Sequence, residues 1–292
     1  MNIALTGSSG LLGSHLCNDL KKMGHNILCI SSSKSSPQDQ IYSYQQILSG
    51  DLNIQVDYIL HLATINSNLS ESQISHEVNL AKKVIHCMEA LGCSNLVFFS
   101  SIKVYGENTF NNTQKISETS LLKPRCFYGK AKAQCEQIIA ESALKKNFSY
   151  LIFRLPPVLI NHPKSNLMKL FQIVEKGLPI PSFRIGDKNQ RSFLSYDLLI
   201  DVLKIALSNS GKLNNSPINL SDFYPISTNN LLRRFGNSID KPAMIFYLPN
   251  FLFQAMMKVN RLQLILVRLF GNFYISNDKL QKEFQLPKNL EE

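Results

Sequence analysis

Ile3-Ala4-Leu5-Thr6-Gly7-Ser8-Ser9-Gly10-Leu11-Leu12-Gly13 is the stretch that decides the fold of this chain. Its first three residues read as an apolar strand, the glycine-spaced run as a turn, and Ser14 to Lys22 as the helix that follows. Strand, glycine turn and helix in that order bring the N–H groups and the positive dipole end of a helix to a sheet edge, which suits a dinucleotide pyrophosphate. Gly7 permits the tight turn, Gly10 with Ser9 and Leu11 beside it lets the backbone approach the phosphates, and Gly13 allows close helix–strand packing. The expected fold is α/β, an open, doubly wound parallel sheet that collects ligands at the carboxyl ends of its strands.

Working outward, the second strand, Asn26 to Ile30, ends in Ser31-Ser32-Ser33-Lys34. An NAD-preferring site carries an acidic residue near here, roughly 20 residues after the glycines. No carboxylate is present; Ser31 and Lys34 could hold the 2′-phosphate of NADP, or the run is a polar loop. A third apolar strand, Tyr58-Ile59-Leu60, leads into His61-Leu62-Ala63-Thr64, and a histidine ending such a strand reads as a satisfied core residue. Leu96-Val97-Phe98-Phe99 is a further buried strand, so Ser100 and Ser101 fall where strand gives way to loop. Tyr128 opens a segment reaching to about Lys145 in which Ile138, Ile139, Ala143 and Leu144 recur at helical spacing, which puts Tyr128 and Lys132 one turn apart on one face. A hydroxyl, a phenol and an ammonium group thereby converge.

A chain of 292 residues with 44% hydrophobic content builds a proper core as one large domain or two modest ones. Its six cysteines form no CxxC pair and lie in apolar patterns, which predicts reduced buried thiols and no metal site. No signal-peptide pattern precedes the first strand. Phe251 to Phe270 is the longest apolar stretch, but Lys258, Asn260, Arg261, Gln263 and Arg268 interrupt it. It reads as an internal helix, without stable membrane insertion, and peripheral contact stays open. The net charge of +10 is spread along the chain rather than clustered with aromatics, which argues against nucleic acid and suits an anionic nucleotide substrate.

The GxxGxxG turn resembles that of the extended short-chain dehydrogenase/reductases, the NAD-dependent epimerase/dehydratase family. Ser100-Ser101-Ile102-Lys103-Val104-Tyr105-Gly106-Glu107, Phe153-Arg154-Leu155-Pro156-Pro157-Val158, Ser165-Asn166-Leu167-Met168, Gly177-Leu178-Pro179-Ile180-Pro181 and Gln190-Arg191-Ser192-Phe193 follow the order seen in bacterial UDP-sugar 4-epimerases and 4-ketoreductases of surface-polysaccharide synthesis. The resemblance implies a Rossmann-like NAD(P) domain over residues 1–154 and a mainly substrate-binding domain over 155–292, with 195–208 returning to the sheet. It implies Asp51 and Leu52 beside the adenine, Leu62 and Ala63 behind the cofactor, and Pro156 near the nicotinamide. Asn79 would open a helix and stabilise the sheet by the serine strand. Asn166, Leu167 and Arg191 would lie at the nucleotide diphosphate and Leu178 to Ile180 beside the uracil. A cytoplasmic homodimer is also implied.

Oxidation at a sugar C4 needs a base for the hydroxyl proton, and a tyrosine with pKa near 10 requires help. Lys132 would lower that pKa, Ser101 would orient the C4 oxygen and Ser100 would support it. Ile102 and Lys103 stand where nucleotide-sugar dehydratases carry an acid/base pair, so elimination of water is not expected. Two activities remain: an epimerase that retains NAD, and a 4-ketoreductase of a UDP-4-keto-6-deoxy-N-acetylhexosamine that exchanges NADPH. A non-catalytic dinucleotide sensor or nucleic-acid-binding relative is the alternative of another class. Leu159-Ile160-Asn161-His162-Pro163 departs from the Tyr-Gly-Pro turn common among such enzymes, so sugar specificity does not carry over.

Overall fold

The computed structural model describes residues 1–32, 36, 38, 40–50, 52–64, 69–110, 114–160, 166–208 and 213–286. Lys34 and Asp51, expected at the cofactor, lie outside the described residues, and of Asn166 and Leu167 only the backbone is described.

The first half of the chain runs β1 (Asn2–Thr6), α1 (Leu11–Lys22), β2 (Asn26–Ser31), β3 (Ile41–Ser43), α2 (Tyr44–Leu48), β4 (Tyr58–His61), α3 (Ile74–Ala90), β5 (Asn95–Ser101), α4 (Phe127–Lys146) and β6 (Ser149–Leu155). Then follow β7 (Val158–Leu159), α5 (Asn166–Glu175), β8 (Ile180–Ser182), β9 (Leu194–Ser195), α6 (Tyr196–Ser208) and β10 (Ser216–Asn219). The chain closes with α7 (Thr228–Ser238), β11 (Ile245–Tyr247), α8 (Asn250–Met257), α9 (Asn260–Phe270) and α10 (Asp278–Phe284).

Seven strands form one parallel sheet in the order β10-β6-β5-β4-β1-β2-β3. The chain moves outward from β1 to β3, then returns to β4 on the other side of β1 and continues to β10. The strand order therefore reverses between β1 and β4, and the crevice at their carboxyl ends is where such sheets bind ligands. Central parallel strands must be apolar on both faces. Ile3 and Leu5 of β1 point into a core with Leu16 and Leu20 of α1, Leu199 and Leu203 of α6, and Leu280 of α10. Ala4 points the other way, into a core with α2, α3 and α4. The segment after Leu155 thus supplies α6, β10 and α10 to the sheet, while α5 and α7 join through the stacked rings of Phe171 and Phe235, 4.0 Å apart.

Several boundaries differ from the sequence reading. Gly10 is extended and caps α1, so that helix begins at Leu11 rather than Ser14. The short edge strand β3 intervenes after β2, making Tyr58–His61 the fourth strand; with one neighbour and three residues it leaves little apolar signal. α3 begins at Ile74, five residues before Asn79. Leu144 is 88% exposed, so the buried stripe of α4 runs through Ile139 and Ala143 without it. The single internal helix expected over Phe251 to Phe270 is two helices, α8 and α9, broken at Lys258 and the extended Val259, and each buries only one face. Among the described residues no helix is long and apolar enough to cross a membrane.

Candidate active site

A cleft of about 1900 Å³ opens along the carboxyl edge of the sheet. That is ample for two ligands, since sites for one drug-sized ligand span roughly 300–1,000 Å³. The glycine turn forms one wall. Gly7 has φ +75°, and a Cβ on Gly13 would lie 2.1 Å from the Gly7 carbonyl oxygen, so the start of α1 sits directly on the turn. No side chain caps that helix, and Gly7 through Gly13 all line the cleft. Packing too close for a Cβ at Gly7 or Gly13 brings the uncapped start of α1 to the cleft, which suits a pyrophosphate, so the residues present fit a dinucleotide.

Ser9, Leu11, Ser31, Leu62, Ala63, Asn79, Ser100, Ser101, Tyr128, Lys132, Pro156 and Arg191 also line the cleft. Leu52 does not, and packs instead against the core beneath α2 and α3. Leu178 is exposed away from the cleft, while Ile180 is buried beside Val174 and Leu232. The structure therefore does not bring the stretch Leu178 to Ile180 to the cleft. Asn79 is exposed at the cleft, and the buried polar residue of its helical turn is Glu77, so the sheet-stabilising role expected of Asn79 falls elsewhere.

Ser101 ends β5 and caps the short turn Ile102–Val104, its Oγ accepting the Lys103 N–H at 3.3 Å. The helix bearing Tyr128 is drawn against that turn by Gly129, where a Cβ would sit 2.4 Å from the Lys103 carbonyl oxygen. Tyr128, Lys132 and Glu136 then follow at i, i+4 and i+8, a polar row on a helix face that continues into apolar Ile139 and Ala143.

Each buried charge of that row has a partner from another element, as burial requires. Lys132 Nζ lies 3.2 Å from Glu77 Oε1 of α3, with both side chains almost wholly buried. Arg154 of β6 grips Glu136 with Nε 3.1 Å from each oxygen and a second nitrogen at 2.6 Å. Ser100 donates its hydroxyl to the same carboxylate. Arg154 also donates to the Tyr105 hydroxyl at 2.7 Å, which donates to Asn219 Oδ1 at 2.8 Å and so ties β5 and β6 to the edge strand β10. Sequence reasoning missed Glu77, Glu136, Arg154, Tyr105 and Asn219. An arginine inside the apolar strand Phe153-Arg154-Leu155 was the one available signal, because it demands a buried acid.

These contacts change the electrostatic reading of Tyr128. Burial pushes the phenol above its ordinary value, Lys132 offsets this only in part, and Glu77 pushes it further up. Lys132 is therefore not by itself the group that makes Tyr128 basic; its charge is shared with Glu77. Burial drives the Lys132 ammonium down, but Tyr128 and Glu77 together hold it above the usual lysine value, so it is charged near neutrality. His61 shares a 2.7 Å hydrogen bond with Thr6 Oγ1, and burial plus Lys132 push it down to about 3, so it is a neutral core residue.

The cleft is electropositive. Lys83, Arg125, Lys169, Arg191 and Arg268 line it, and its one acid among the described lining residues, Glu107, is paired with Lys103. Arg191 is half-buried over the Phe193 ring and donates to the Leu269 carbonyl oxygen at 3.3 Å. Burial lowers it to about 10, with no carboxylate among the described residues to offset the cost, which favours an anionic ligand there. Among the described residues no cluster of side chains suits a metal ion, and all six cysteines are free thiols.

A family model described as NAD dependent epimerase/dehydratase family matches residues 3–220. UDP-glucose 4-epimerase of Vibrio cholerae is 27% identical over 313 residues, spanning all of this chain and 92% of the relative. Among solved structures, UDP-N-acetylglucosamine 4-epimerase from Bacillus cereus superposes with a TM-score of 0.76 at 16% identity, over 98% of this chain and 93% of that one. UDP-glucuronic acid 4-epimerase from Bacillus cereus, solved in complex with NAD, gives 0.72 at 18% identity, over 100% and 96%.

Proposed function

The chain belongs to the NAD dependent epimerase/dehydratase family, and from that premise we propose that it inverts C4 of a UDP-hexose or UDP-N-acetylhexosamine through a 4-keto sugar. The observation that carries this reading is one cleft lined at once by the glycine turn, by Ser101, Tyr128 and Lys132, and by Arg191, which has no acidic partner among the described residues. Arg191 binds the diphosphate. Ser101 orients the C4 oxygen, Tyr128 takes its proton and later returns it, and Lys132 stabilises the phenolate. When bound, a dinucleotide would supply the hydride acceptor and, in its oxidised form, a positive charge that would favour the phenolate together with Lys132. Ile102, beside Ser101, is buried with Val104 and Phe273, so that position offers no acid for eliminating water.

A second reading, NADPH-dependent reduction of a 4-keto sugar, draws on Ser31 and Ser32, which line the cleft where β2 ends. The two readings separate on purification without added cofactor. Stoichiometric NAD released on denaturation is the expected result. An empty site that binds NADPH reversibly would replace the epimerase with the reductase.

Glu77 offers a test of the electrostatics. Because its carboxylate raises Tyr128, Glu77→Gln is expected to lower the phenol's pKa and move the ascending, base-requiring limb of the kcat–pH profile to more acidic pH. A profile unmoved, or moved toward alkaline pH, would show that Glu77 does not govern the base.

A further inference from the structure

The helices α8 and α9 each have a satisfied inner face and an unpartnered outer one. Phe253, Leu266 and Phe270 turn inward against Phe183. On the outside of α8, Phe251, Gln254, Ala255 and Lys258 follow at i, i+3, i+4 and i+7, all exposed. On α9 the same spacing carries Arg261, Leu264, Ile265 and Arg268, again all exposed. Phe251 is 69%, Val259 50%, Leu264 59% and Ile265 49% exposed, so large apolar exposures gather on these two helices rather than standing singly. Residues 250–272 contain three cations and no Asp or Glu, and none of the three cations has an ion-pair partner among the described residues.

We propose that this outer face docks the protein on an anionic phospholipid bilayer. Apolar side chains set between lysine and arginine on a helix face match the acyl–headgroup boundary, with Phe251, Val259, Leu264 and Ile265 entering and the cations held at the phosphates. Charge complementarity selects this occupant over a second copy of the chain, since two such faces would bring six cations together without a carboxylate between them. The face is continuous with the cleft: Ile265, Arg268 and Leu269 also line it, so docking places the cleft mouth at the headgroup layer. Turnover of a sugar diphosphate then takes place beside the membrane, whichever sugar the cleft accepts.

The test is co-sedimentation of the full chain, without sugar substrate, with vesicles of equal phosphatidylglycerol and phosphatidylcholine and with vesicles of phosphatidylcholine alone. The expected result is binding to the anionic vesicles only, reversed by high salt. Phe251→Glu with Leu264→Glu should weaken it by roughly tenfold or more, and Lys258→Glu with Arg261→Glu likewise. Circular dichroism of each variant serves as the check on folding. Failure to sediment with anionic vesicles, equal binding to neutral ones, or indifference to both variant pairs would overturn the proposal. So would a wild-type oligomer that either pair splits, because the face would then be a self-interface. Vesicle binding is read without turnover, so it fails or succeeds independently of the C4 chemistry.

Discussion

Tyr128→Phe is expected to lower kcat by roughly two orders of magnitude or more, with the dinucleotide still bound. The substitution removes one oxygen and leaves the ring on the helix face it shares with Lys132, so the backbone cradle of Gly7 to Gly13 is untouched. On the proposed function, what would be lost is the group that accepts the C4 hydroxyl proton. Burial already disfavours the phenolate, and no other described lining residue next to Ser101 offers a base, Glu107 being paired with Lys103. Steady-state kinetics with UDP-glucose and UDP-N-acetylglucosamine, together with the cofactor content of the variant, check this. Unchanged turnover would mean that Tyr128 is a structural phenol and would favour a non-catalytic dinucleotide sensor.

Glu136→Ala is expected to be the most damaging substitution for stability. The carboxylate neutralises Arg154 through three close contacts and accepts the Ser100 hydroxyl, all in the interior between α4 and the sheet. Removing it strands a buried guanidinium, and breaking a buried pair in this way costs about 3–5 kcal/mol. Tm should fall by roughly 10 °C. Replacing both partners with apolar residues, Glu136→Leu with Arg154→Met, should recover part of the loss because no unpaired charge remains. A single variant as stable as the wild type, measured by thermal unfolding, would contradict the network.

The pieces legible in the sequence are those specified by neighbours in the chain. Ile3 to Gly13 announces strand, turn and phosphate cradle because the glycines act within the turn they build. Tyr128 and Lys132 fall on one helix face because a fixed periodicity carries them there. What stayed hidden depends on partners far apart in sequence. Glu77 lies in α3 and meets Lys132 only when α3 and α4 pack side by side; read locally, it is one polar residue among several on that helix. The Ser100–Glu136–Arg154–Tyr105–Asn219 chain joins four strands and helices, and of its members only Arg154 breaks a pattern visible along the chain. Leu178 and Ile180 show the opposite case: similarity of a motif places them at the substrate, whereas neither lines the cleft, Leu178 being exposed and Ile180 buried where β8 pairs with β11.

α8 and α9 sit between these cases. Their apolar content is plain in the sequence, and so are the interrupting cations. Which face is covered is decided by Phe183, more than sixty residues earlier, so the pattern along Phe251 to Phe270 reads as one internal helix and does not show the exposed outer face.

On the proposed function, C4 is oxidised and reduced within one cleft by one retained dinucleotide. The most direct test is to incubate the purified protein, without added cofactor, with UDP-hexose and UDP-N-acetylhexosamine deuterated at C4, and to follow the product by NMR. The expected product is the C4 epimer with deuterium still at C4 and none lost to solvent. Loss of the label, or no product until NADPH and a 4-keto sugar are supplied, would contradict it.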